Sequence, residues 1–442
     1  MTPARVSIVR CRSYDRAEVH DAVARAVELI GGAGLVGQVG PAGTGTGSPE
    51  QSEGSGSCPR NGAADTPHPD PLPQGERGKT GGVLLKPNLL SASSRESRVC
   101  TDPEVVRATA EALRAAGAND IAVGDSPGYG SAARAMQKCG YDAVVPEWVR
   151  RVEFDAGRKH PTAGHPDLEL AAAALDAGLL VNLPKIKAHA YMGLTLAVKN
   201  FFGCVLGTKK AQWHLRAGEN PALFARLIVE IAYSFRPGLT VVDGIIAMEG
   251  NGPGSGDPRA LGMILAGDDP AAVDAVICRL LGFPPEKLPT LAAARELGLG
   301  QPEFGKVEVL GERVEAVAIT GFRPAASSPG AQGIGLPRPL HRLLKSALTC
   351  RPEIDPELCQ LCARCAEICP PKAIAMEKRG QEPFVQSTPE GPFRQKVPDP
   401  FSPPAIDRAR CIRCFCCQEV CPAKAISVKR GWLLRLGVPF GK

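Results

Sequence analysis

Near its C-terminus the chain reads CQLCARCAEICP, residues 359–370. Cys359, Cys362, Cys365 and Cys369 fall within eleven residues, and Pro370 closes the run. A second run, Cys411, Cys414, Cys417 and Cys421 followed by Pro422, has the same spacing. One offset of 52 residues also aligns Ile354-Asp355 with Ile406-Asp407, and CPPKAI (369–374) with CPAKAI (421–426). The segment is therefore a duplicated module. Thiolates two residues apart let a short loop wrap three corners of an iron–sulfur cubane. The loop cannot close around the whole cube, so each cube needs a fourth thiolate from elsewhere.

In the bacterial form of this run the fourth Cys ligates the other cluster. That pattern predicts one [4Fe-4S] cluster on Cys359, Cys362, Cys365 and Cys421, and another on Cys411, Cys414, Cys417 and Cys369. Structural zinc is the competing reading, but zinc sites pair two CxxC units, and two triplets each with an added Cys-Pro fit that poorly. Cys416, where the first repeat has Arg364, is read as a packed bystander. The module resembles bacterial two-cluster ferredoxins over about residues 353–430. The resemblance implies a small α+β module that carries single electrons at low potential. The stretch 378–404, polar and rich in Pro, reads as an insertion between its halves.

A second set of chemically capable residues lies far upstream, at the ends of apolar runs. VLLKPNLL carries Lys86 and Asn88, and IAVGDSPG ends on Asp125 and Ser126. LLVNLPKIKAHAYMGLTLAVKNFFGC carries Asn182, Lys185, Lys187, His189, Thr195, Lys199 and Asn200. LTVVDGIIAMEG offers Asp243 and Glu249. Lysines and asparagines in this density suit a phosphate or carboxylate. Lys86, Asp125, Lys187, His189 and Lys199 are the candidate catalytic residues. Taken singly, each also fits a solvated strand end or a satisfied core residue. EGNGPGSGDP (249–258) lacks the GK[ST] ending of a phosphate loop and reads as a loop over the sheet edge.

The elements that must position these side chains alternate in period. Strand-like runs at 5–10, 83–90, 120–125, 179–185, 239–248 and 261–267 are interleaved with helical patterns. Val19, Val23, Val27 and Ile30 step along one helical face, and the helices expected over 103–118 and 270–283 begin with Pro. The alternation predicts an α/β domain over 1–322 with a largely parallel sheet, where ligands sit at the carboxyl ends of strands. Residues 38–80, dense in Gly, Ser and Pro, read as a disordered insertion. Residues 323–352 read as a linker and 431–442 as a tail.

KPNLL, TDPEVV, GDSPG, KAHAYMGLTLAVKNFFG and VVDGIIAMEGNGPGSG resemble the bacterial and archaeal proteins grouped as domain-of-unknown-function family 362. The resemblance spans roughly 1–320 without 38–80. Some members carry a ferredoxin module at the C-terminus. The resemblance supports the fold and implies no particular reaction.

Composition sets the remaining bounds. The chain has 442 residues, 44% hydrophobic and 22% charged, which is ordinary for a globular protein. Its 16 Cys in so long a chain do not suggest a secreted disulfide scaffold. MTPARVSIVRCRS reads as a strand rather than a secretory leader, and no apolar run approaches the roughly 18 residues of a membrane span. A cytoplasmic protein without a membrane span is expected. The net charge is +6, and most of the excess falls after residue 350. Two oxidised clusters, each roughly −2 with its thiolates, would offset it, so no nucleic-acid partner is expected. The leading expectation is an electron-transfer protein, an oxidoreductase or its electron-transfer subunit, serving a redox partner protein or a small anionic substrate. The alternative is a non-redox anion-binding or transferase domain whose clusters are structural or sense oxygen.

Overall fold

The computed structural model describes residues 3–32, 34, 82–207, 209–235, 237–326, 349–376 and 403–431. The expected insertion 38–80 lies outside these residues, as do nearly all of 378–404, most of the 323–352 linker, and the tail beyond residue 431.

Strands β1 (Ala4–Arg10), β2 (Val83–Pro87), β3 (Ile121–Asp125) and β4 (Arg150–Glu153) alternate with helices, among them Arg16–Leu29 and Pro103–Ala115. A small ribbon, β5 (Gly157–Lys159) with β6 (Glu169–Ala171), follows. Then come β7 (Leu179–Leu183), β8 (Lys185–His189), β9 (Gly193–Thr195), β10 (Pro237–Glu249), β11 (Asp257–Gly267) and β12 (Val307–Gly311). The main sheet runs β12-β1-β11-β10-β7-β2-β3-β4. From β10 to β4 every neighbouring pair is parallel. β11 is antiparallel to both β10 and β1, because it is the return arm of a hairpin. The domain is thus α/β with a largely parallel sheet.

β2, β3 and β7 are buried along their whole length, as the uninterrupted apolar runs of a covered parallel sheet require. Alternate residues feed two cores. Leu85, Val123 and Val181 face the side packed by Val19, Val23 and Val105. Leu84, Ala122 and Leu180 face the side packed by Ile228, Ile231 and Val276. The helix Pro270–Leu281 starts where Asp269 accepts from Ala271 N and Ala272 N, at 2.8 and 2.9 Å, with Pro270 in its first turn.

The C-terminal module keeps the internal symmetry of its sequence. β13 (Arg351–Ile354) pairs antiparallel with β16 (Ile426–Lys429), and β14 (Ile374–Ala375) with β15 (Ala405–Ile406). Short helices Arg364–Ile368 and Cys416–Glu419 begin within the two cysteine triplets and carry their third members, Cys365 and Cys417. Among the described residues no helix is long and apolar enough to cross a membrane.

Candidate functional site

Ends of the parallel strands build the floor of a pocket. β2 delivers Lys86 and then Asn88, and β3 delivers Asp125 and then Ser126. β8 adds Lys187 and His189, and the short helix Ala197–Asn200 adds Lys199 and Asn200. That helix is anchored from outside the pocket: Asp274 Oδ1 accepts from Ala197 N at 2.7 Å, and its Oδ2 accepts from Val198 N at 3.3 Å. Burial, which dominates, pushes the Asp274 carboxyl well above the usual range. The cavity is about 80 Å³, room for several waters or a small ligand group.

All five candidate catalytic residues, Lys86, Asp125, Lys187, His189 and Lys199, line this one cavity. Asn88, Ser126, Thr195 and Asn200 join them. Lys185, Asp243 and Glu249 do not. Lys185 Nζ pairs with Asp243 Oδ2 at 2.7 Å and with Tyr14 Oη at 3.0 Å, deep in the sheet. Glu249 holds Arg323 at 2.8 Å. Asn182 supports the floor by accepting from Asn200 Nδ2 at 2.8 Å.

The sequence reading missed Lys210, His214 and Glu419, which also line the cavity. Lys210 and His214 are four residues apart on the helix Lys209–Ala217 and so share a face, which is a signal the sequence does contain. Glu419 comes from the C-terminal module, as do the lining residues Ile368, Cys416 and Val420. The pocket is therefore walled by both domains.

Cations outnumber anions here. Lys86 Nζ pairs with Asp125 Oδ1 at 2.8 Å. Lys187 Nζ donates to Asn88 Oδ1 and Val99 O, at 2.6 and 2.9 Å. Lys210 Nζ donates to Ser126 O at 2.8 Å and to Val205 O. Lys199 Nζ stands 5.7 Å from the centre of the Phe202 ring and has no hydrogen-bond or ion-pair partner among the described residues. Burial brings Lys187 down to about 8 and Lys210 down to about 7, and it lowers Lys199 as well.

His189 has a fixed tautomer. Its Nδ1 accepts from the backbone N–H groups of Tyr191 and Met192, at 3.1 and 3.3 Å, so the ring proton sits on Nε2. Nε2 faces Glu419 Oε1 at 3.3 Å, though off the ideal line. Burial first, then the charge of Lys199, lowers His189 to about 4. Burial likewise takes His214 down to about 3. Burial raises Glu419, but its contact with His189 and the charges around it outweigh that and leave it at about 2. His189 is neutral above about pH 4.

The cysteines fall into two groups. Cys365 lies in the electrostatic neighbourhood of Cys362, Cys421 and Cys359, and Cys411 in that of Cys414 and Cys369. Burial and the neighbouring thiols push Cys365 up to about 11. Thiols crowded in this way ionise when a metal group supplies the positive charge. Cys365, Cys369 and Cys417 pack with Ala373, Ile374 and Ile426, which exclude water from the centre of the module. Ala373 N donates to Cys369 Sγ at 3.2 Å. Among the described residues no three His, Cys, Asp or Glu side chains converge on a single ion. A cubane gives each thiolate its own iron and needs no such convergence, so the donor set suits it. Cys416 is buried and hydrogen-bonded to Cys414.

The module is docked through its second half. Arg413 Nη1 donates to both carboxylate oxygens of Glu219 at 3.2 Å, and Gln418 Nε2 donates to Asn251 O at 3.0 Å. The glycine-rich stretch 250–256, expected as a loop over the sheet edge, joins β10 to β11 and packs against the module. Gly254 lies so close that an added side-chain carbon would stand 3.0 Å from Glu419 O.

Residues 83–279 match the family described as domain of unknown function DUF362, and residues 358–425 match the 4Fe-4S dicluster domain. The thylakoid-associated protein sll1697 of Synechocystis sp. is 40% identical over 266 residues, 60% of this chain and 82% of that protein. The chain belongs to the DUF362 family. This DUF362 protein is also an iron–sulfur protein, with a ferredoxin-type 4Fe-4S domain fused at the C-terminal side. Among solved structures, the lactate racemase apoprotein of Thermoanaerobacterium thermosaccharolyticum overlaps 55% of this chain at 14% identity, with a TM-score of 0.32. The overlap spans about half of the racemase, 51% of its length.

Proposed function

We propose that this DUF362 protein is an electron-transfer protein with two [4Fe-4S] clusters, and that the group it serves occupies the pocket between its domains. One cluster is assigned to Cys359, Cys362, Cys365 and Cys421, the other to Cys411, Cys414, Cys417 and Cys369. The observation that carries the reading is the shared wall: Lys187, His189 and Lys199 meet Cys416, Glu419 and Val420 around one cavity. A bound [4Fe-4S] cluster supplies one-electron transfer at a potential set by hydrogen bonds to its sulfurs and by exposure.

The residues of the chain supply the rest. Ile374 and Ile426 keep water from the buried thiols. Ala373 N, donating to Cys369 Sγ, is one hydrogen bond of the kind that tunes potential. Exposure differs between the two sets: in the first Cys362 is exposed, Cys359 and Cys421 are half-buried and Cys365 is buried, whereas in the second Cys369, Cys414 and Cys417 are buried and Cys411 is half-buried. The buried set lies on the pocket side, where Cys414 packs with Cys416, Val420 and, from the α/β domain, Tyr129 and Ala211. This asymmetry favours an outer set that meets a redox partner protein and an inner set that faces the pocket.

The test is anaerobic purification followed by metal and sulfide analysis. The reading expects about eight iron and about eight acid-labile sulfide per chain, with a broad visible absorption bleached by dithionite. Zinc in place of iron under strict anaerobiosis would overturn it.

A further inference from the structure

The donors around the pocket do not balance. An ammonium has three N–H donors. Lys187 and Lys210 each use two on oxygens of the protein. Lys199 uses none. Among these three lysines five N–H groups are therefore left over: three on Lys199 and one each on Lys187 and Lys210. His214 Nδ1 is buried and lacks a hydrogen-bond partner among the described residues.

Charge does not balance either. Asp125 is matched by Lys86 at 2.8 Å. Among the described residues that line the cavity, Glu419 is then the carboxylate left to face Lys187, Lys199 and Lys210. With all three protonated, the excess among these lining side chains is two positive charges, before the charge of the adjacent cluster is counted. Uncompensated buried charge costs far more than any surface charge, and it persists in folded proteins when a partner or ligand completes it. The solvated-face reading fails for Lys187, which is fully buried at 0% exposure; Lys199 and Lys210 are half-buried and line the same cavity.

We propose that the pocket binds a small oxyanion carrying two negative charges, of the phosphate or short dicarboxylate class, with Lys199 as its anchor. Lys210 and Lys187 donate from the flanks. The 80 Å³ cavity limits the ligand, or the part of it held here, to a few heavy atoms. This deepens the electron-transfer reading by naming the class of molecule that lies against the iron–sulfur module, and it rests on that reading only for the ligand's role.

Isothermal titration of the anaerobically purified, oxidised full-length protein tests it. Inorganic phosphate, oxalate and malonate are titrated separately, with chloride as the monovalent control. The expected result is one-to-one binding of phosphate or a dicarboxylate, unmatched by chloride, and the strongest heat identifies the class. Lys199→Gln should weaken it by roughly tenfold or more, the worth of a charge-assisted hydrogen bond. Lys199→Arg should retain most of it. Lys209→Gln should leave it unchanged, since Lys209 points away and pairs with Glu169 at 2.6 Å. Absence of binding by every oxyanion at millimolar concentration, or equal binding by Lys199→Gln, overturns the proposal. No electron moves in this experiment, so its failure leaves the redox reading standing, and a failure of cluster reduction leaves the binding result standing.

Discussion

Glu419 Oε1 of the iron–sulfur module stands 3.3 Å from His189 Nε2 of the α/β domain. The 52-residue repeat gives this contact a counterpart, because Glu419 corresponds to Glu367. Tyr129 Oη donates to Glu367 Oε2 at 2.8 Å. The same position of each half thus reaches into the α/β domain. Only Glu419 reaches the pocket, where its carboxylate occupies part of the positive field offered to a ligand.

Glu419→Gln should therefore strengthen oxyanion binding. It keeps the shape and a hydrogen-bonding group for His189 while removing a competing negative charge. A like charge at this range in a partly screened site is worth on the order of 1 kcal/mol or more, so a severalfold gain in affinity is expected by titration calorimetry. Weaker binding by this variant would mean that Glu419 helps to hold the ligand.

Oxyanion affinity should rise as pH falls. Lys187 and Lys210 sit at about 8 and about 7, below the ordinary lysine value, because burial penalises their charged forms. Both are largely neutral at pH 9 and largely charged at pH 6. The unfolded chain binds more protons than the folded one between these values and the usual 10.5. The ligand-free protein should accordingly gain stability as pH rises through that window. Titrations of oxalate, which keeps both negative charges throughout, at pH 6, 7.5 and 9 check the binding trend, and a flat profile would contradict it.

The fold was largely legible because its signals are local. The buried runs of β2, β3 and β7 and the capped, proline-led helices can each be read from a dozen residues. The cysteine spacing was legible for the same reason. The site was legible only in part. Lys185 and Lys187 look alike in sequence, yet Lys185 is claimed by Tyr14, 171 residues away, and leaves the pocket. Glu419 looks like an ordinary residue between two cysteines. Its role depends on how the module docks, which is set by Arg413, Gln418 and the 250–256 loop, and no local pattern encodes that.

Gly203→Ala should damage the pocket floor. Gly203 has ordinary backbone angles, but a methyl group there would collide with Asp125 Oδ1 and Lys86 Nζ. Either the buried pair separates or the 3-10 turn Phe201–Cys204 shifts. Breaking a buried ion pair costs about 3–5 kcal/mol, so a clear fall in melting temperature is expected. An unchanged melting temperature together with unchanged oxyanion binding would show that the pair tolerates displacement.

The most direct test of the account is electron paramagnetic resonance of reduced Cys369→Ala and Cys421→Ala proteins, each with and without a saturating oxyanion. With crossed ligation, Cys369→Ala damages the cluster assigned to Cys411, Cys414 and Cys417, and the remaining signal ignores the oxyanion. Cys421→Ala should spare that inner cluster, whose signal and midpoint potential should then respond to the oxyanion in the adjacent pocket. If Cys369→Ala instead loses the cluster of its own run and keeps an oxyanion-sensitive signal, the crossed assignment is wrong. If neither surviving signal responds to the oxyanion, the pocket is not joined to the iron–sulfur module in function.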